Sequence, residues 1–190
     1  VSDKTGYRKD VIEKDYYVTM VLHELASFQS DGLPAYFKGG TALYKALHSV
    51  RRFSEDIDLS VDVRDCSRSQ GDKRLDRATK KYTCLPRNAQ EGRSNRSEVI
   101  SYYYYEPVVE YDTSDVLQRF GKVKVEATSF TISEPYESMR VAPIIYENAE
   151  PSQQAILADQ FDVSPFEILT MTMERIFVDK LFAAEAYTRN

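Results

Sequence analysis

The sequence predicts a mixed α/β or α+β domain, built as a small mixed sheet flanked by helices. Apolar segments with helical periodicity near both ends of the chain enclose short segments rich in β-branched and aromatic residues. A Gly-Gly pair and an Asp-x-Asp pair lie between the first helical segment and the later strand-like segments. A chain of 190 residues is long enough for one core, or for one core with a small helical appendage.

Bulk composition narrows the functional class without identifying it. Hydrophobic residues make up 42% and charged residues 29% of the chain, within the ordinary range for soluble proteins. No apolar run approaches the roughly 20 residues of a membrane span, and the first residues are too polar for a signal peptide. The formal net charge of −5 argues against a general nucleic-acid coat protein but allows a local basic groove.

Cysteine and histidine are too few and too scattered for a structural metal site. Cys66 and Cys84 lie in a polar stretch without metal-ligand spacing, and His23 and His48 are far from them in sequence. We therefore expect no zinc site. A cytoplasmic location best fits this cysteine usage.

The first half of the chain predicts alternating helices and strands. Gly39-Gly40 ends the first strand, and Thr41 is a suitable N-cap for the helix that follows. The expected elements are a helix over 10–28, a strand over 35–38, a helix from residue 41 to about residue 50, and a strand over 56–63.

Residues 62–98 differ in charge from the rest of the chain. Ten Lys or Arg residues stand against six acids, a local charge of +4 in a chain of net charge −5. Residues 72–82 fit a surface helix, and residues 85–97 (LPRNAQEGRSNRS) resemble a loop. Two interpretations remain open: a solvated excursion, or a flexible basic flap that contacts a polyanionic substrate.

The second half predicts further strands and a final helix. Alternating or β-rich segments predict strands at 99–105, at 107–111 and within GKVKVEATSF (121–130), with one more short strand within 136–146. The tyrosines of the first of these strands fit hairpin packing better than base stacking. Residues 165–187 carry apolar residues at helical spacing after a proline and predict a helix.

Asp56 and Asp58 are the first residues that point to chemistry. In a strand, residues i and i+2 face the same side, so these carboxylates would lie side by side with Ile57 buried behind them. Adjacent carboxylates repel each other unless they are exposed or share a cation. Mg²⁺ prefers oxygen ligands and often binds one or two carboxylates with substrate phosphates. The alternative is a solvent-exposed strand edge.

Gly39-Gly40-Thr41 has the features of a phosphate site. Glycine lets a phosphate approach the backbone closely, and a helix starting at Thr41 offers free N–H groups and its positive dipole end. Alone, a Gly-Gly pair is usually only a turn. With the acid pair starting the next strand, the phosphates and the metal would be neighbours.

Glu126 supplies a third acid on a strand that alternates charged with apolar residues. Two-metal nucleotidyl transfer needs carboxylates around both ions. Asp56 and Asp58 would bridge two Mg²⁺ (or Mn²⁺) ions. Glu126 would bind the catalytic ion and help to deprotonate the acceptor hydroxyl. The alternative is a surface ion pair between Glu126 and Lys122 or Lys124.

The chain resembles the AbiEii/AbiGii toxin family of nucleotidyltransferases, within the DNA polymerase beta-like superfamily. The resemblance is strongest in YFKGGTALYKAL (36–47) and RRFSEDIDLSVD (51–62), which match an apolar-Gly-Gly, helix, Asp-apolar-Asp-apolar motif. It is weaker in VKVEATSF (123–130) and in PFEILTMTMERIFVDKL (165–181). It implies a nucleotidyltransferase fold, with a core at 1–160 and the start of a helical C-terminal region at 161–190.

Basic residues are the candidates for holding the phosphates of a nucleoside triphosphate. The resemblance places Lys180, next to Asp179, in a late helix that contributes to the family's site. Lys45 shares a helix face with Thr41, four residues earlier. Lys38 and Arg52 are further candidates, and for each cation a solvated surface position is the alternative.

Together, residues and resemblance imply transfer of a nucleoside monophosphate from an NTP to an acceptor hydroxyl, with release of pyrophosphate. The resemblance further implies the toxin of a toxin–antitoxin or phage-defence (abortive infection) system, with RNA such as tRNA as acceptor and a cognate antitoxin as partner. The alternatives are a small-molecule nucleotidyltransferase of the antibiotic-modifying kind, an Asp-x-Asp glycosyltransferase, and a non-catalytic nucleotide-binding module.

Overall fold

A seven-stranded mixed sheet forms the centre of the computed structural model, which describes residues 1–49, 53–110 and 120–188. The strands are β1 (Ala35–Lys38), β2 (Ile57–Val61), β3 (Arg87–Ser94), β4 (Glu98–Tyr104), β5 (Lys122–Thr128), β6 (Tyr136–Val141) and β7 (Phe166–Met171). Their order across the sheet is β3-β4-β5-β2-β1-β7-β6. The pairs β2/β5 and β1/β7 are parallel and the other neighbours are antiparallel, so the expected mixed sheet is confirmed.

The helices of the described residues flank this sheet. They are α1 (Ser2–Thr5), α2 (Lys9–Ser30), α3 (Gly39–Lys45), α4 (Arg68–Lys80), α5 (Ile144–Glu147), α6 (Pro151–Phe161) and α7 (Met173–Thr188). Long α2 contacts β7 and β5, and α4 contacts β4, β5 and β2. The rings of Phe28 at the end of α2 and Tyr82 after α4 lie 5.3 Å apart, which joins the two helices over one face of the sheet.

Alternation along the central strands separates the hydrophobic core from the polar face. Phe37, Ile57 and Val125 are fully buried in the core cluster that also contains Val21 and Leu22 of α2. Because neighbouring strand residues point to opposite faces, the residues between the core positions gather on the other face. This second face of β1, β2 and β5 carries the charged residues from which the candidate site is built.

The predicted helix over 165–187 is wrong in its first third. Phe166–Met171 forms β7, which pairs with β6 on one side and β1 on the other, and α7 begins only at Met173. Ile168, Thr170 and Met171 of this strand are almost fully buried. A short apolar run buried on both faces cannot be distinguished from a buried helix by periodicity, and here the backbone partners on both sides decide for the strand.

Residues 62–98 form packed elements where a loop was expected over much of their length. Ser67 and Gln70 form a capping box, so α4 starts at Arg68, and Leu75 and Ala78 bury one side of it. The predicted loop over 85–97 contains the edge strand β3, paired with β4. Several basic side chains of this segment make ion pairs with carboxylates: Arg64, Arg74, Arg77, Lys80 and Arg93.

Smaller differences concern the ends of elements. Residues 107–110 form no strand, and Tyr111 lies outside the described residues. The short strand expected within 136–146 is confirmed as β6. Helix α6 is not among the predicted elements, although Pro151 occupies its first turn and Glu150 with Gln153 forms its capping box.

Candidate active site

The Gly-Gly turn connects β1 directly to α3 and brings the backbone against an acid. Gly39 has a φ of 78°, a conformation that favours glycine. A Cβ atom at this position would lie 2.1 Å from Oδ2 of Asp58, so only glycine allows this approach. A Cβ at Gly40 would lie 2.9 Å from the Ser54 hydroxyl. Glycine is therefore required at position 39, and at position 40 a larger residue would displace the Ser54 side chain.

Thr41 positions the acid pair and does not cap α3. The helix starts at Gly39 with Lys38 in the N-cap position, so the predicted N-cap role of Thr41 is wrong. Thr41 is fully buried, and its hydroxyl donates a hydrogen bond to the carbonyl oxygen of Asp56 at 2.5 Å. It also lies 3.0 Å from Oγ of Ser54. Thr41 thereby fastens α3 to the chain that enters β2.

The strand register lines up three of the predicted site residues. Lys38 on β1 is opposite Asp58 on β2, and Asp58 is opposite Glu126 on β5. The pairing of β2 with β5 is parallel, so the two acids project from the same face of adjacent strands. Asp56 precedes β2, and its side chain is 48% exposed. The structure thus brings Lys38, Asp58 and Glu126 together.

Lys124 joins the acids from the same face of β5. Its Nζ lies 2.8 Å from Oε2 of Glu126 and 3.7 Å from Oδ2 of Asp56. The ammonium group of Lys124 therefore lies between Asp56, which precedes β2, and Glu126 on β5. The ion pair that the sequence left open for Glu126 is present with Lys124, in addition to the position of Glu126 beside Asp58.

Charge and burial shift the proton affinities of the central groups. Burial raises the pKa of Asp58 to about 6, and the negative charges of Glu126 and Asp56 act in the same direction. Burial lowers the pKa of Lys38, against the opposing effect of Asp179, Asp58 and Glu126. A carboxyl with a raised pKa among other acids, facing a cavity, is typical of functional sites.

A cavity of about 600 Å³ opens on this face between the sheet and α7. The strands contribute Lys38, Asp58 and Glu126, and α7 contributes Arg175, Asp179 and Lys180. Apolar side chains complete the lining: Phe130, Ile132, Ile176 and Phe182. The combination of charged and apolar walls fits a ligand that has both an anionic and an aromatic part.

The polar wall contributed by α7 is an ion pair with spare hydrogen-bonding capacity. Nη2 of Arg175 lies 2.5 Å from Oδ1 of Asp179, one helical turn away. Nε of Arg175 and Oδ2 of Asp179 are buried without a hydrogen-bond partner among the described residues. Buried polar atoms usually have partners, so this wall is suited to a polar ligand.

One of the predicted phosphate-binding cations, Lys45, lies away from this site, and the prediction for a second cannot be compared with the structure. Lys45 is almost fully buried, pairs with Asp15 at 2.6 Å and donates to the carbonyl oxygen of Ala142. Lys45 does share a helix face with Thr41, but that face is buried under α3 and does not reach the cavity. Arg52 lies outside the described residues.

The donor chemistry of the acids fits a hard divalent cation. Asp56, Asp58 and Glu126 offer carboxylate oxygens, the ligands that Mg²⁺ and Mn²⁺ prefer. Across residues 1–49, 53–110 and 120–188, no group of three or more His, Cys, Asp or Glu side chains is already arranged around a metal position. Lys124 provides the positive charge between Asp56 and Glu126 instead.

The sequence analysis did not identify several residues of the candidate site as functional candidates. Lys124 was considered only as a surface partner of Glu126, although its alternation with that acid places both on one face. Arg175 lies at i−4 from Asp179, a spacing that predicts a helical ion pair once the helix is known. Phe130, directly after β5, carries no sequence signal, because only the fold brings it to α7.

Comparison with known proteins gives one match. The model of a family described as nucleotidyl transferase AbiEii toxin, type IV TA system, matches residues 21–190. This range includes every residue of the cavity wall named above. No curated protein and no solved structure matches significantly. None of the described helices is long and apolar enough to cross a membrane.

Proposed function

We propose a specific activity for this chain, which belongs to the AbiEii family of nucleotidyl transferase toxins of type IV toxin–antitoxin systems. The activity is metal-dependent transfer of a nucleoside monophosphate from an NTP to an acceptor hydroxyl, with release of pyrophosphate. The observation that carries it is the register of Asp58 with Glu126 across parallel strands, beside Gly39 and facing the cavity.

Asp56, Asp58 and Glu126 are the proposed ligands of Mg²⁺ or Mn²⁺. When bound, the divalent ions would polarise the reacting phosphoryl group and stabilise the attacking and leaving oxygens. Asp58 is held against the Gly39 backbone, and Thr41 fixes the chain at Asp56, so these acids are positioned before any substrate arrives. Such preorganisation lowers the cost of reaching the transition state.

Lys38 and Lys180 are the proposed cations for the phosphates. Both line the cavity, one from the sheet and one from α7. Lys38 donates to the hydroxyl of Thr128 at 3.0 Å and is half-buried, so its ammonium group is held in place. Gly39 and Gly40 allow the close packing that holds Asp58 and Ser54 against this turn. Catalysis would then rest on positioning and charge stabilisation.

The apolar wall is the proposed place of the nucleobase. Phe130 is 68% and Phe182 64% exposed in the free protein, and both line the same cavity as the acids. Stacking of a base on an exposed aromatic ring stabilises the complex, whatever the identity of the base. The charged wall of the cavity therefore suits the phosphates of a nucleoside triphosphate, and the apolar wall suits its base.

RNA, with tRNA as the leading candidate, is the proposed acceptor. This assignment rests on the family resemblance, because many of the basic side chains at residues 62–98 are paired with acids. In the cell, we propose, the chain acts in the cytoplasm as a toxin in phage defence by abortive infection. A cognate antitoxin would counter it.

Transfer of label from an NTP is the test. The purified protein is incubated with MgCl₂, each α-³²P-labelled NTP in turn, and total RNA, and the RNA is separated by size. Label on a discrete RNA band is the expected result. Label on a small molecule or on protein would redirect the acceptor assignment, and absence of transfer with any NTP or with MnCl₂ would reject the activity.

Replacement of one acid connects the activity to the site. Asp58→Asn preserves shape but removes a carboxylate that faces the cavity, so transfer should fall by at least about a hundredfold. Asp159→Asn, on the exposed surface of α6, is the matched control and should retain full activity. A folded Asp58→Asn protein with wild-type transfer would contradict the proposed role of the acids.

A further inference from the structure

Lys124 places its ammonium group between carboxylate oxygens of Asp56 and Glu126, two of the proposed metal ligands. Its Nζ is 2.8 Å from Oε2 of Glu126 and 3.7 Å from Oδ2 of Asp56. A divalent ion bound to the same oxygens would lie about 2.1 Å from each. An ammonium group and a metal ion cannot both occupy the space between these two carboxylates.

Without a cation, the acids would repel one another strongly. Asp58 is directly opposite Glu126 in the sheet, and Asp56 lies two residues before Asp58. Lys124 forms ion pairs with both Asp56 and Glu126. Since the Lys124 side chain is only 26% exposed, its charge is poorly screened by solvent. Lys124 therefore supplies charge compensation that a bound metal would otherwise supply.

We propose that Lys124 is a built-in counter-cation of the acid cluster, which a divalent metal must displace in order to bind. This inference rests on the proposed function only in taking Asp56 and Glu126 as metal ligands. Lys124 is thus a positioning residue. It keeps the acids in place in the metal-free protein, and it weakens their affinity for a metal ion in the absence of nucleotide.

Lys122 provides a matched control on the same strand and face. It lies two residues before Lys124, and its side chain has a similar exposure of 25%. Its Nζ lies 3.5 Å from Oε1 of Glu91 and 4.9 Å from the ring centroid of Tyr102. Replacement of Lys122 changes the net charge by the same amount as replacement of Lys124. It leaves the ion pairs with Asp56 and Glu126 intact.

Binding of Mn²⁺ to the full chain in the absence of nucleotide is the test, measured by isothermal titration calorimetry. Lys124→Met and Lys124→Gln should bind Mn²⁺ at least about tenfold more tightly than the wild type, because the competing charge is gone. Lys124→Arg, which keeps the charge, should remain near the wild-type affinity. Lys122→Met should differ from the wild type by no more than about twofold.

Thermal unfolding in EDTA is the second readout. Lys124→Met should lower the midpoint in EDTA, and Mn²⁺ should raise it by more than it raises the wild-type midpoint. Unchanged or weaker Mn²⁺ binding by both neutral variants would overturn the proposal, as would the absence of Mn²⁺ binding by all proteins. Absence of label transfer by a wild type that binds Mn²⁺ would instead reject the proposed activity and leave the role of Lys124 standing.

Discussion

Asp58 is, at the scale of one residue, an acid whose position among other acids opposes folding. Burial and the neighbouring acids raise its pKa from 3.8 to about 6, so its ionised form is disfavoured in the folded protein. Because the folded protein binds this proton more tightly than the unfolded chain, Asp58 lowers the free energy of unfolding as pH rises through this interval. At neutral pH its charge is a net cost to stability.

Asp58→Asn should therefore stabilise the metal-free protein at pH 7.5. The expected gain in the free energy of unfolding is about 1–3 kcal/mol, from a shift of about two pKa units on a partly exposed group. At pH 4 most of the gain should be lost, since Asp58 is then largely protonated in the folded protein. Urea unfolding in EDTA at both pH values measures it. An equal effect of Asp159→Asn, or no pH dependence, would refute this account.

Sequence reasoning predicted the site best where backbone geometry alone defines it. Acids alternate with apolar residues in Asp56-Ile57-Asp58 and around Glu126, and this alternation predicts that the acids face away from the core. Of the three acids, Asp58 lies directly against Gly39 in the structure. The cations were less predictable, because a lysine's place depends on which partners the fold brings within reach. Lys45 forms an ion pair with Asp15, and Lys124 forms one with Asp56.

At the scale of elements, a buried ion pair connects α2 and α3 with the segment after β6. Lys45 of α3 pairs with Oδ1 of Asp15 at 2.6 Å, and Oδ2 of Asp15 accepts from the backbone N–H of Ile144 at 2.7 Å. Lys45 also donates to the carbonyl oxygen of Ala142. Both side chains are at most 3% exposed, so each charge depends on the other.

Lys45→Met should destabilise the protein by about 3–5 kcal/mol, because it leaves the Asp15 charge buried without its partner. The double variant Lys45→Met/Asp15→Asn should recover part of this loss. Lys180→Met, on the exposed side of α7, should leave the free energy of unfolding within about 0.5 kcal/mol of the wild type. Urea unfolding compares all four proteins.

An opposite result would restore the role that the sequence predicted for this lysine. If Lys45→Met were as stable as the wild type but bound NTP more weakly, Lys45 would belong to the phosphate site after all. The structure argues against this outcome, because the ammonium group is enclosed by Asp15 and Ala142 on the core side of α3.

The elements themselves were predictable in proportion to their local signals. The strand Ala35–Lys38 was predicted with its observed bounds, since a proline-containing turn and Gly39 delimit it. In contrast, the sequence predicts helix at β7, because its apolar run continues without a break into the apolar residues of α7. The edge strand β3 is mostly exposed and polar, so no alternation revealed it. Its pairing with β4 depends on the sheet already present.

At the scale of the whole molecule, the cavity exists because β7 and α7 follow each other at the end of the described chain. β7 adds to the sheet beside β1, and α7 then places Arg175, Asp179 and Lys180 opposite the acids of β2 and β5. The loop after β5 brings Phe130 to the same space as Phe182 of α7. Residues widely separated in sequence thus line one cavity.

Phe130→Ala tests whether this surface holds the nucleobase. Loss of a stacking ring should raise the KM for the NTP by about tenfold to a hundredfold, and kcat should change much less, because the acids and cations remain. Phe161→Ala is the matched control, since Phe161 is 61% exposed on α6 and lies outside the cavity lining. Initial rates of label transfer over a range of NTP concentrations separate KM from kcat. If Phe130→Ala and Phe161→Ala gave the same KM as the wild type, the base would bind elsewhere. The exposed rings beside the site would then need another explanation.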